Sequence, residues 1–192
     1  MVSVTRAEPP AGGVMFAYPK TIAVRAWRVV RLDSSVFREL STDGGATVQA
    51  LVIVLLGALA TTLGTFDELG GSVWRELPRA MFLAYVSWVA GAFLVYLIGV
   101  KLLRAPDSKA DWAAVSRVMG YANAPVLVRV LGATPGVGVA VAGLTLIWQA
   151  AATLAGIKEV LACKSYWKPV LIMAIGAAPY VAVLIGFNLL LS

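Results

Sequence analysis

The 192-residue sequence contains no histidine and only one cysteine, Cys163. Without histidine, the chain lacks the commonest metal ligand and the usual axial ligand of haem. A single cysteine cannot form an internal disulfide, so cysteine usage does not reveal the redox compartment. We therefore expect no bound metal and no cofactor.

Charged residues are scarce, at 14% of the chain, whereas apolar residues make up 60%. Soluble domains carry about 25% charged and about 45–50% apolar residues. The apolar residues are also gathered into blocks long enough to cross a hydrocarbon core of about 30 Å, which takes about 20 residues of helix. The sequence therefore predicts a polytopic, all-α membrane protein.

Carboxylates are absent from the apolar blocks, since all ten lie outside them. Proton- or cation-coupled transporters usually bury an acid along the path, and intramembrane aspartyl proteases need two. A metalloprotease would need histidine ligands. The Gly136-x-Gly138 pair has Val141 where a dinucleotide fingerprint needs glycine, and no phosphate loop occurs. We expect no enzyme and no catalytic residue.

Five apolar blocks follow one another, and each is assigned a membrane span: residues 46–66, 80–103, 121–134, 136–157 and 169–191. The third is short for a full span. With the N-terminus in the cytoplasm, nearly all loop Lys and Arg fall on the cytoplasmic side, as basic residues should. This distribution requires the third block to cross, and it puts the C-terminus on the opposite side of the cell (inner) membrane. It also explains the net charge of +6 without a nucleic-acid partner.

The N-terminal region precedes the first span in two parts. Residues 1–20 contain three prolines and two glycines and predict an irregular cytoplasmic arm. Residues 21–45 are basic and amphipathic, and Asp33-Ser34-Ser35 predicts a break between two short helices lying at the membrane interface. The candidate contacts of lipid headgroups are Arg25, Trp27, Arg28, Arg31 and Arg38. The alternative is a solvated helix packed on the protein's own loops.

Arg129 is the one charge embedded within an apolar run, Val126–Leu131, whereas Lys101 lies at the end of the second block. An ionisable residue there is a functional-site hypothesis, because burying it is costly unless it finds partners. Gln149 and Asn188 are candidate partners, and Trp148 completes the candidate intramembrane polar site. The alternative is that the third block is short and tilted, so that the Arg129 side chain reaches the outer phosphates.

Small residues recur at four-residue spacing in several blocks, which allows helix backbones to approach closely. The series are Ala60 and Gly64; Gly132 and Gly136; Ala152 and Gly156; Ala178, Ala182 and Gly186. We expect them to serve contacts within the chain.

The segment Met119-Gly120-Tyr121-Ala122-Asn123-Ala124-Pro125 resembles the start of the third span in the Ypt-interacting protein (Yip) domain family. The Pro135-Gly136 break, the long span carrying Trp148, and Gly156-Ile157 before a short basic loop are also similar. The Asp-Leu-Tyr-Gly-Pro stretch of eukaryotic trafficking members is absent, and the sequence resembles the prokaryotic branch instead. The resemblance covers roughly residues 21–191. It implies five helices, a cytoplasmic N-terminus and non-enzymatic work through protein or lipid contacts.

Three functions are compatible with these features. The first is a non-enzymatic membrane organiser or scaffold that acts through protein and lipid contacts. The second is an accessory structural subunit of a larger membrane complex, and the third is a small anion or lipid transporter. The expected partners are membrane lipids and either another membrane protein or a second copy of the chain.

Overall fold

In a computed structural model of the protein, residues 11–65, 73–103 and 110–177 are described, and every regular element among them is helical. Side chains are described from residue 19 onward. In chain order the elements are α1 (Ala11–Val30), α2 (Ser34–Thr42), α3 (Ala46–Gly64), α4 (Val73–Tyr96) with a π-helical extension (Leu97–Leu102), α5 (Trp112–Tyr121), a 3-10 helix (Ala124–Ala133), α6 (Gly138–Val160) and α7 (Trp167–Ala177).

α5, the 3-10 helix and α6 form an antiparallel hairpin. Ala122 and Asn123 join α5 to the 3-10 helix with right-handed helical backbone, φ −60° and −79°, so the chain keeps turning. This joined stretch, which we call the α5–3-10 segment, meets α6 in strictly reversed order. Val118 faces Gly156, Asn123 is bonded to Gln149, and Arg129 is bonded to Thr145. The segment therefore runs alongside most of α6 in the opposite direction.

α3 lies beside the same segment and runs parallel to it. Ala50 faces Gly120, Gly57 faces Val126, and Gly64 meets the backbone of Arg129. A Cβ added at Gly64 would collide with the Arg129 carbonyl oxygen, and one at Gly120 would lie 2.6 Å from the Ala50 Cβ. Glycine at these points lets the backbones approach closely, as interhelical contacts in membranes require.

The glycines of the four-residue series have different roles. A Cβ at Gly132 would lie 3.0 Å from the Gly64 carbonyl oxygen, and one at Gly156 would lie 2.8 Å from Val118. These positions lie at close contacts, as predicted. Gly136 instead has open space around it and a φ of +82° in the turn before α6, a conformation that a side chain would strain.

α1 and α2 pack against one end of this bundle and are called the cap. α2 buries Val36, Phe37 and Leu40 completely, and it contacts α5 and α6. Asp33 begins α2 by accepting a hydrogen bond from the Ser35 backbone N–H, as an N-cap residue does. The cap end of the bundle also holds the start of α3 and the end of α6. The opposite end, called the turn end, holds Gly64 and the turn at residues 134–137.

The membrane segments differ from the sequence prediction in three places. α4 begins at Val73 rather than at residue 80, because polar residues before the apolar block continue the same helix. The third block, predicted as a span at 121–134, is the 3-10 helix and prolongs α5. The last block, 169–191, overlaps α7 as far as Ala177, and the remainder lies outside the described residues.

Three of the described helices are long and apolar enough to cross a membrane: α3, α4 with its extension, and α6. α3 and α6 match the first and fourth predicted spans to within three residues at either end. The predicted arm at residues 1–20 also differs, because α1 begins at Ala11 and contains Pro19. A proline inside a helix removes one backbone donor and crowds the carbonyl four residues earlier, but α1 continues past Pro19 to Val30.

Candidate functional site

Arg25 joins the cap to the bundle through a hydrogen-bonded network. Its side chain is 10% exposed, and its Nε donates to Glu39 Oε1 at 2.8 Å. One terminal nitrogen donates to Gln49 Oε1 at 2.9 Å, and the other lies 2.7 Å from Asp43 Oδ2. The Tyr121 hydroxyl donates to the same Gln49 oxygen at 2.6 Å. This Arg25 network therefore links α1, α2, α3 and α5 through one buried guanidinium.

The carboxylates of the cap are held in their charged form by these bonds. The hydrogen bond from Arg25 is the main cause of a lowered pKa at Glu39 and also lowers the pKa of Asp43. Asp33 accepts hydrogen bonds from Ser35 and Arg28, which lower its pKa to about 2. The cap therefore carries its own counter-charges at neutral pH.

Arg117 provides a second connection between the cap and the bundle. Its Nε donates to the Leu40 carbonyl at 3.0 Å, and a terminal nitrogen donates to the Ser41 carbonyl at 2.6 Å. These carbonyls belong to the last turn of α2, where backbone acceptors have no partner within the helix. Arg117 on α5 therefore completes the hydrogen bonding of the α2 C-terminus.

Three of the predicted headgroup contacts are engaged with acidic residues of the chain itself. Arg25 is buried in its network, and Arg28 pairs with Asp33 at 2.9 Å and with Glu39 at 2.8 Å. Arg38 is exposed but lies 2.7 Å from Glu159 at the end of α6. Such internal pairing reduces the positive charge that these arginines offer to lipid.

The other two predicted contacts lie on an exposed stripe of α1. Lys20, Val24, Trp27 and Arg31 are all exposed, with Trp27 at 61% and Val24 at 59%. Lys20, Val24 and Trp27 lie on one face of α1. Arg31 is the first residue after the helix and continues the same spacing, because its backbone N–H still donates to the Trp27 carbonyl at 3.0 Å. We call this row the α1 stripe. Whether it binds headgroups stays a prediction.

A cleft of about 350 Å³ opens in the middle of the bundle between α3, α4, the α5–3-10 segment and α6. Most of its lining is apolar or small, which leaves room between the helices. Its polar lining residues are Thr61, Ser87, Trp88, Asn123, Arg129, Gln149 and Thr153. This cleft brings Arg129 and Gln149 of the predicted polar site into one cavity.

Within the cleft the hydrogen bonds differ from those expected. Gln149 Nε2 donates to Asn123 Oδ1 at 2.7 Å, and the guanidinium of Arg129 does not donate to Gln149, the partner that the sequence suggested. Arg129 Nε donates instead to the hydroxyl of Thr145, at 3.1 Å. Trp148 belongs to another face, because its indole N–H donates to the Val30 carbonyl of the cap at 2.8 Å. Asn188 lies outside the described residues.

Sequence reasoning missed Thr145 and Asn123 as members of this site. Thr145 precedes Gln149 by four residues, so the two share a face of α6. Its role depends on the register of the hairpin, which the sequence alone does not give. Asn123 lies within the quoted Gly-Tyr motif but carries no charge that would single it out.

Smaller cavities continue from the cleft toward the turn end. One of about 220 Å³ shares Thr61 and Arg129 with the cleft, and another of about 330 Å³ reaches the Pro135-Gly136 turn. Gly64 and Gly132 line both of these smaller cavities. Among the residues that the structure describes, the lining of the three cavities contains one formal charge, that of Arg129, and no carboxylate.

Comparison with known proteins was made for the whole chain. No curated protein and no solved structure matches it significantly. A family model described as the Yip1 domain matches residues 27–188, from within α1 to near the C-terminus. The resemblance seen at Gly120–Pro125 is thereby confirmed. With three helices in its described part that are long and apolar enough to cross a membrane, this multi-pass membrane protein belongs to the Yip1 domain family.

Proposed function

We propose that the protein is a non-enzymatic membrane organiser, or scaffold, that presents its cap as a fixed docking platform. The observation that carries this proposal is the Arg25 network, in which one buried guanidinium joins α1 to α2, α3 and α5. Removing a partner from such a network leaves a poorly solvated charge, so the connected form is favoured. A platform that is already held in one position loses less conformational entropy when a partner binds, so binding is more favourable.

The α1 stripe supplies the contact surface of this platform. Lys20 and Arg31 flank the apolar pair Val24 and Trp27, and all four side chains are exposed. Basic ends around an apolar, tryptophan-bearing centre suit the interface of an anionic membrane. We therefore place the stripe at the cytoplasmic headgroups, where it can contact lipid and a partner protein together.

The topology that we propose has five spans, with the cap in the cytoplasm and the C-terminus on the opposite side of the cell membrane. Its support is the α5–3-10 segment, which lies antiparallel to α6 and parallel to α3. Ten residues of α-helix span about 15 Å, and ten of 3-10 helix about 20 Å. The sum exceeds a hydrocarbon core of about 30 Å. The third span then begins within α5 rather than at residue 121, and the part of α5 around Arg117 lies at the cytoplasmic end with the cap.

A native pull-down from membranes tests the scaffold proposal. The double variant Trp27→Ser/Arg31→Glu removes the apolar centre and one basic end of the α1 stripe, whereas Trp167→Ser removes an exposed tryptophan outside the cap. We expect specific proteins to co-purify with the unaltered chain and with Trp167→Ser, and to be largely lost from the double variant.

The alternatives give different outcomes in the same experiment. A stoichiometric complex that survives mild detergent with every variant would favour an accessory structural subunit. If the same proteins co-purify with the double variant as with the unaltered chain, the α1 stripe is not their binding surface, and the platform proposal is contradicted. Transport of an anion or lipid has one observation in its favour, the cleft around Arg129.

A further inference from the structure

We propose that Arg129 binds a phosphate-bearing anion inside the intramembrane cleft. This site is separate from the cap and does not depend on the scaffold function, although both require that the α5–3-10 segment crosses the membrane. The guanidinium Nε is bonded to Thr145, and within the stretches that the structure describes no acceptor is bonded to the two terminal amino groups of Arg129.

Arg129 is held in place at its side chain and at its backbone. Thr145 is completely buried, and its hydroxyl lies 2.8 Å from the Val141 carbonyl and 3.0 Å from that of Ala142. This hydroxyl can donate to one of those carbonyls and still accept from Arg129. On the backbone side, Gly64 packs directly against the Arg129 carbonyl. The guanidinium is therefore positioned before any ligand arrives.

The position of Thr145 also fixes the depth of the guanidinium. Thr145 is seven residues after Gly138, the first residue of α6, which corresponds to about 10 Å along the helix. Arg129 Nε is bonded at that depth rather than at the end of the helix. No described acidic residue forms an ion pair with Arg129, and a charge inside the bundle is unfavourable unless it is paired, so an anion that reaches it is stabilised.

The surroundings favour an oxyanion over a cation. No carboxylate lines the three cavities next to Arg129 in the ranges 11–65, 73–103 and 110–177. Two terminal amino groups of one guanidinium form a planar fork that pairs with two oxygens of a phosphate. Lysine, with a single charged nitrogen, does not reproduce this geometry.

The cavities offer room and a route for such a group. The cleft of about 350 Å³ is large enough for a phosphate and its substituents, and the two smaller cavities lead from Arg129 to the turn end. Two sources share this chemistry: the phosphodiester of a phospholipid headgroup and free inorganic phosphate. The experiment separates them.

The test is thermal unfolding of the purified full chain in a maltoside detergent, which contains no phosphate. One arm adds phosphatidylglycerol, with an uncharged glycolipid as its control. The other adds inorganic phosphate, with chloride at equal ionic strength as its control. We expect saturable stabilisation in one arm, since a ligand that binds only the folded state raises its apparent stability. Stabilisation by the lipid identifies a headgroup, and stabilisation by inorganic phosphate identifies a solute.

Substitutions at Arg129 and Thr145 then test whether the thermal stabilisation comes from an anion bound to the Arg129 guanidinium. Arg129→Gln and Arg129→Lys should each weaken binding by about tenfold or more, as expected for lost charge-assisted hydrogen bonds. Thr145→Val, which keeps the charge but removes the positioning hydroxyl, should weaken it by a smaller factor. Arg79→Gln, an exposed arginine outside the three cavities, is the matched control and should bind like the unaltered chain.

Two results would overturn the proposal. One is that neither phosphatidylglycerol nor inorganic phosphate stabilises the unaltered chain beyond its control. The other is that stabilisation persists at full affinity in Arg129→Gln. If Arg129→Gln does not yield folded protein, Arg129→Lys decides, because unreduced affinity with lysine would exclude the bidentate fork.

Discussion

At the scale of single residues, the bundle satisfies its buried polar groups and makes its closest contacts through glycine. Among the described residues, every fully buried side-chain nitrogen or oxygen has a hydrogen-bond partner. Gln49 accepts from both Arg25 and Tyr121, and Thr145 accepts from Arg129. Because the groups share partners, one substitution affects several bonds.

Gly64 provides a residue-scale prediction. Gly64→Ala places a methyl group against the Arg129 carbonyl oxygen, and a backbone atom cannot move aside as a flexible side chain can. Overpacking of this kind costs about 1–3 kcal/mol or more, so the melting temperature in detergent should fall clearly. Gly143→Ala is the control, because Gly143 has no heavy atom within 4 Å of the added methyl. Equal melting temperatures for the two variants would contradict the close contact between α3 and the 3-10 helix.

Individual residues were predictable to different degrees. The four-residue spacing of small residues located Gly64, Gly132 and Gly156 at close contacts, because that spacing marks one face of a helix. Arg129 was conspicuous as a charge within an apolar block. Its partner Thr145 was not, since the pairing depends on the hairpin register.

At the scale of secondary-structure elements, the sequence shows which face of a helix is apolar but not what covers that face. The pattern in α2 indicated a helix lying on lipid, whereas Val36, Phe37 and Leu40 are buried against α5 and α6 of the protein itself. The third block, 121–134, looked too short because α5, the helix that precedes it, was not included. α5 carries Arg117, which bonds to the cap, and hydropathy alone does not assign such a helix to a span.

The cap provides an element-scale prediction through pH. The pKa values of Glu39 and Asp43 are lowered in the folded chain, chiefly because Arg25 donates to them. Their contribution to stability is therefore present above the ordinary carboxylate pKa of about 4, and it is lost as the pH falls through the lowered values. Hydrogen exchange of α1 and α2, corrected for the intrinsic pH dependence, should show unchanged protection from pH 7 to 5. Protection should then fall below about pH 4.

The variant Glu39→Gln shows how much of the acid dependence of hydrogen exchange comes from the Glu39 carboxylate. Glu39→Gln should lower the protection of the cap already at pH 7 and should weaken its acid dependence, because the amide cannot titrate. Peptides from α6 remote from the cap should retain their protection throughout. A cap whose exchange is the same in Glu39→Gln and the unaltered chain at every pH would show that the Arg25 network does not hold it.

At the scale of the whole molecule, the hairpin of the α5–3-10 segment and α6 is the central unit, with α3 beside it and the cap across one end. α4 is the least buried candidate span, at 17% against 50% for α3, so it lies at the edge of the bundle. Composition sufficed to predict a helical membrane protein, and the Gly-Tyr motif sufficed to indicate the family. The order in which the helices pack was not predictable, because lipid and protein neighbours are equally apolar.

Both proposals depend on whether the α5–3-10 segment crosses the membrane, since crossing separates the cap from the turn end and places Arg129 within the hydrocarbon region. The most direct measurement is labelling of single cysteines from each side of the membrane, in a Cys163→Ser background. Ser34→Cys and Ser165→Cys should label from the cytoplasm, whereas Thr134→Cys and Ser192→Cys should label from outside. Labelling of Thr134→Cys and Ser192→Cys from the cytoplasm would mean that the segment does not cross, and it would contradict the account.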